Sequence, residues 1–80
     1  MNDGTIFEQI ERLSEEELAL EEAHPGKPMS EAERVHLREV EVQLDQCYDL
    51  LRQRRARRAA GLDPDDAALR SATTVEGYLQ

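Results

Sequence analysis

Five arginines crowd into seven positions of this chain: Arg52, Arg54, Arg55, Arg57 and Arg58, with no acid between 52 and 60. A guanidinium is planar, permanently charged and offers paired N–H donors, so such a block suits phosphate or carboxylate recognition. Its setting is acidic. Residues 1–51 hold fourteen acids against four bases, and the 80-residue chain carries a formal charge of −8. That surplus repels a polyanion at long range. No aromatic lies among the arginines to stack a base. Ion pairing within the chain or between copies therefore ranks first, recognition of a protein partner second, and nucleotide or nucleic-acid phosphate third.

A second constellation has the chemistry of a metal site. Glu21–His24 and Glu33–His36 are both Glu-x-x-His pairs, one on each side of a Pro/Gly-rich break. That spacing puts a carboxylate and an imidazole on one helix face, as in di-iron bundles. Glu17, where the helix stripe would otherwise be apolar, adds a candidate bridging carboxylate. The ordinary explanation is composition, since nine glutamates fall between residues 8 and 33. No metal or other cofactor is expected. Cys47 lies on an apolar stripe and reads as a small buried hydrophobe. Glu41, Asp45 and Asp49, one turn apart, read as a solvated face. Tyr48 and Tyr78 read as packing residues.

These residues need elements to position them, and the punctuation supplies a plan. Thr5 with Glu8 has the pattern of a capping box, and Ile6, Ile10, Leu13 and Leu20 follow at helical spacing. The run ends at the prolines 25 and 28, which places helix one at 5–23 and a loop at 24–29. Ser30 with Glu33 makes another box. Leu37, Val40, Leu44, Cys47 and Leu51 then alternate steps of three and four, up to Gly61 at the left-handed end position with Leu62 folding back on it. Helix two is 30–60. Asp63 followed by Pro64 opens a short helix at 63–69, and 70–80 form a tail.

The expected fold is all-α in one domain, 1–80: an antiparallel hairpin, a short third helix and a tail, completed as a helical-bundle dimer. Pairing across the hairpin joins residues whose numbers sum to about 53–55, with two turns of helix two projecting past helix one. Arg54 and Arg58 continue the apolar stripe and so point toward whatever covers it; an antiparallel partner would bring a Glu-rich helix one against them. The core is small, because nine of the apolar residues are alanines and a chain this short hides only about 60% of its unfolded surface.

Residues 44–64, Leu-Asp-Gln-Cys-Tyr-Asp-Leu-Leu-Arg-Gln-Arg-Arg-Ala-Arg-Arg-Ala-Ala-Gly-Leu-Asp-Pro, resemble the actinobacterial small-protein family called domain-of-unknown-function family 2630, and 75–80 resemble its C-terminus. The resemblance covers about half the chain. Tyr48 stands where that family usually has Trp, and Thr73 and Thr74 where it usually has Pro. It implies a bacterial cytosolic setting and brings no activity, cofactor or catalytic residue.

Apolar runs fall short of the roughly 18 residues that span a bilayer, and the acidic first twenty residues lack the pattern of a signal peptide. The expectation is cytoplasmic, without membrane association. No phosphate loop or nucleophile elbow is present, so the chain is read as non-catalytic. The expected function is that of a helical interaction or regulatory protein, homodimeric and binding a protein partner. The alternative is phosphate binding by the arginine block.

Overall fold

Asn2 opens the first helix. Its Oδ1 accepts from the Thr5 N–H at 2.8 Å and the Thr5 hydroxyl at 3.0 Å, and α1 runs Asp3–Glu22. This corrects the Thr5–Glu8 box. A cap three residues earlier satisfies a free first-turn amide as a box at Thr5 would, and it adds helix ahead of Thr5. The computed structural model describes residues 2–23 and 26–79, the last three by backbone alone. Tyr78's side chain and His24 thus lie outside the described residues.

α2 spans Glu31–Ala59. Both halves of its box form: Glu33 N–H donates to Ser30 Oγ at 3.2 Å, and Ser30 N–H to Glu33 Oε1 at 3.1 Å. At the far end Gly61 takes φ 75°. Its N–H reaches Arg58 O at 3.1 Å, and Leu62 N–H reaches Arg57 O at 2.8 Å, the bond pair of a Schellman motif. The Leu62 side chain does not fold back; it stays 53% exposed.

The two helices pack antiparallel. Ile6 and Leu13 of α1 bury against Val40, Leu44, Cys47 and Leu50 of α2, with Ile10, Leu20, Leu51 and Ala67 at the margin. Gln9 meets Cys47 and Glu16 meets His36, so the register is close to the one the stripes imply. The projecting end is not bare. The earlier start of α1 carries Asp3 to Arg54 and Arg58.

The 63–69 helix contracts to one 3-10 turn, Pro64–Asp66, capped by Asp63 Oδ1 on the Asp65 N–H at 2.9 Å. Ala67 then turns extended, because the chain is pulled back along α2. Gln53 Nε2 donates to Ala68 O at 2.9 Å and Gln46 Nε2 to Arg70 O at 3.2 Å. The expected tail contains a helix, α3, Ala72–Leu79. Ser71 Oγ accepts from Thr74 N–H in its first turn, and Val75 is fully buried.

α2 touches α1, the 3-10 turn and α3, while α1 and α3 share no contact among the described residues. The Cα envelope measures 51 × 25 × 14 Å, and its width is what three helices side by side at about 10 Å spacing require. A radius of gyration of 15.0 Å exceeds the roughly 12 Å of a compact chain this long. The elements form a single thin layer, with the return segment laid along α2.

Candidate interaction surface

The arginine block divides in two. Arg54, 6% exposed at its side chain, donates from Nε to Asp3 Oδ1 and from Nη1 to Pro64 O at 3.1 Å and Asp65 Oδ1 at 3.0 Å. Arg58 joins Asp3 Oδ2 at 3.1 Å. Arg57 donates to Asp63 O at 2.6 Å and lies 3.5 Å from Asp66 Oδ2. These three arginines clamp the start of α1 and the 3-10 turn onto the end of α2. The hydrogen bond from Arg54 holds the Asp3 carboxyl below the usual carboxylate range, aided by Arg58. The same bonds from Asp3 and Asp65 raise the Arg54 guanidinium further above its already high value.

Arg54 and Arg58 therefore find Asp3, not the glutamates expected to face them. The antiparallel register sets residue 3 beside 54 and 58, while the glutamates of α1 lie farther down, where Glu16 pairs with His36. Asp65 and Asp66, by type first-turn acids of the short helix, serve as further arginine partners. The sequence carries the signal for this: a cluster of aspartates just past the Gly61 turn, within reach of the arginines. Arg52 and Arg55 remain. Both are exposed, and neither has an ion-pair or hydrogen-bond partner among the described residues.

The acidic line on α2 is not a uniform solvated face. Asp49 is buried, accepting from Gln53 Nε2 at 2.9 Å and lying 3.6 Å from Arg70 Nη1. Asp45 faces Glu76 of α3. Burial, then the hydrogen bond and charge of Glu76, push the Asp45 carboxyl up, with Glu41 adding to this and Arg38 opposing it. Arg38 holds Glu76 Oε2 at 3.0 Å. Glu17, Glu41 and Asp45 line an open groove of about 310 Å³ with Ser14, Leu44 and Tyr48. Burial raises the Glu17 pKa, and Glu21, Glu41 and Asp45 raise it further.

The described members of the metal constellation, Glu17, Glu21, Glu33 and His36, are not drawn together; His24 lies outside the described residues. Glu33 is drawn into the α2 cap, His36 meets Glu16 rather than Glu17, and Glu21 is exposed. Among the described residues no group of three or more His, Cys, Asp or Glu is arranged to hold a metal. Cys47 is buried, its Sγ 3.7 Å from Gln9 Oε1, and burial raises its thiol pKa. No described helix is long and apolar enough to cross a membrane. Exposed apolar side chains are numerous for so small a chain, among them Phe7, Leu18 and Tyr48.

A family model described as "Protein of unknown function (DUF2630)" matches residues 2–80. Uncharacterized proteins of Mycobacterium bovis and Mycobacterium tuberculosis are each 49% identical over 78 residues, a span of 95% of this chain and 88% of theirs. No solved structure matches.

Proposed function

The chain belongs to the DUF2630 family of proteins of unknown function, and we propose for it a non-catalytic role: a small helical interaction protein that self-associates and in that form engages a protein partner in a regulatory process. One observation carries the reading. Of five clustered arginines, Arg54, Arg57 and Arg58 are tied to the chain's own carboxylates and carbonyls, while Arg52 and Arg55 stay exposed beside the outward Tyr48. Arginine and tyrosine side by side on an open helix face suit protein recognition, where such residues anchor interfaces. The burial of Cys47, which raises its thiol pKa, supports a role without nucleophilic chemistry.

Phosphate binding is the second reading, favoured by Arg52 and Arg55 standing one turn apart with free guanidinium groups. Sedimentation equilibrium together with calorimetric titration of a nucleoside triphosphate separates the two. The interaction reading expects self-association and no heat of binding. A monomer that binds the nucleotide, and loses it in R52A/R55A with Tm unchanged, overturns it in favour of phosphate.

A further inference from the structure

Along α2, next to the stripe that packs on α1, runs a second stripe: Glu41, Asp45, Tyr48, Arg52 and Arg55. Their spacing of four, three, four and three keeps them on one helix face. The face is open at its centre, where Tyr48 is 44% exposed. Its order of charge is two acids, an aromatic, two bases. Glu41 and Arg55 each stand seven residues from Tyr48, about 10 Å along the axis. Asp45 and Arg52 stand close to one turn away on either side. The face is therefore its own complement when reversed.

Resting on the self-association reading above, we propose that a second copy of this chain docks antiparallel on this face of α2, about a two-fold axis at Tyr48, with Arg52 and Arg55 of each copy meeting Asp45 and Glu41 of the other. An isologous contact needs a patch that matches itself under rotation, and a charge sequence antisymmetric about one residue meets that need. A parallel arrangement would set like charges against each other, which interfaces avoid. The basic half is unpartnered within one chain, and the acidic half lacks a base of its own on this face, since Asp45 is set against Glu76 of α3. Arg52 and Arg55 have no partner among the described residues. The acids crowd one another in the groove with Glu17. The hairpin register places Phe7, also outward-facing, within about a turn of the level of Tyr48. The same axis thus brings the exposed aromatics of both helices to the centre of the contact, where stacked rings add to apolar burial.

Complementary charge reversal tests this. R52E/R55E makes the face wholly acidic, and E41R/D45R makes it wholly basic. Circular dichroism checks that each remains helical. By sedimentation equilibrium the wild-type chain is expected to be a dimer that weakens about tenfold or more from low to high salt. Each variant alone is expected to be monomeric, and an equimolar mixture to form a 1:1 heterodimer. A wild-type dimer indifferent to salt, with R52E/R55E still dimeric, overturns this contact while leaving self-association standing. A wild-type monomer overturns both. Should E41R/D45R lose its helix, R52Q/R55Q decides alone: retained dimerisation at wild-type affinity counts against the contact.

Discussion

Arg54 is a charge placed where only partners make it tolerable. Its side chain is almost wholly enclosed, and it is held by two carboxylates and a carbonyl from two separate stretches of chain, the start of α1 and the 3-10 turn. Removing the guanidinium leaves Asp3 dependent on Arg58 and strips Pro64 O of a donor, and breaking one side of such a cluster is far costlier than losing a surface pair. R54Q is therefore expected to lower Tm by roughly 10 °C or more, whereas R52Q/R55Q should leave it within a few degrees. Thermal unfolding of the two variants, at a concentration where both are monomeric, checks this; equal effects would deny Arg54 its clamping role. The pH dependence carries the matching sign. Because Asp3 titrates below its ordinary value of 3.8 in the folded chain, its contribution is full above that value and fades as pH falls through the folded one. In R54Q that acid-side loss should shrink. The five arginines stand out in the sequence, but their division does not. Which of them are consumed depends on where Asp3 and Asp65 arrive in space, and neither is a sequence neighbour.

Helix ends are governed by contacts three or four residues apart, and there local reading succeeds. The Ser30–Glu33 box and the Gly61 stop both form where the residues indicate. The start of α1 shows the weakness of the same rule. Asn2 with Thr5 and Thr5 with Glu8 are both sensible caps at the same spacing, and the sequence does not rank them. The 3-10 turn and α3 depend on contacts across longer distances, through Gln53, Gln46 and Glu76, and so 63–79 is the stretch least legible in the sequence. α3 is short and is held by Val75 and the Arg38–Glu76 pair, with the Asp45 carboxyl set against Glu76. Asp45 titrates above its ordinary value of 3.8 when α3 is docked. By linkage, its contribution to docking is present below that ordinary value and is lost as pH rises through the raised one. D45N, which removes the charge at all pH values, should increase amide-exchange protection of 72–79 near neutrality and flatten its pH dependence. Protection that falls in D45N would mean the ionised carboxylate helps to hold α3.

At the scale of the whole molecule the chain is a layer with few buried side chains: Ile6, Leu13, Val40, Leu44, Cys47, Leu50 and Val75 among the apolar residues described. Fully burying an aliphatic side chain contributes about 1.5–3 kcal/mol, while ordering each residue costs about 1–2 kcal/mol of backbone entropy alone, so a single layer of 80 residues has little margin. Phe7, Leu18, Val35, Tyr48, Leu62 and Leu69 all remain substantially exposed. The need for further burial was legible in the composition, but the shape that leaves α2 accessible along one face was not, because it follows from α1 and the return segment occupying its other sides. If a second copy supplies part of the missing burial, folding and association are linked by mass action, and stability must depend on protein concentration. Tm measured across a hundredfold range of concentration should then rise by several degrees, and R52E/R55E should abolish the rise while keeping the low-concentration Tm. A Tm independent of concentration in a chain that is dimeric at every point would place the association outside the folding equilibrium. A flat Tm in a monomer would mean that the single layer, with its arginine clamp and docked α3, is stable unaided.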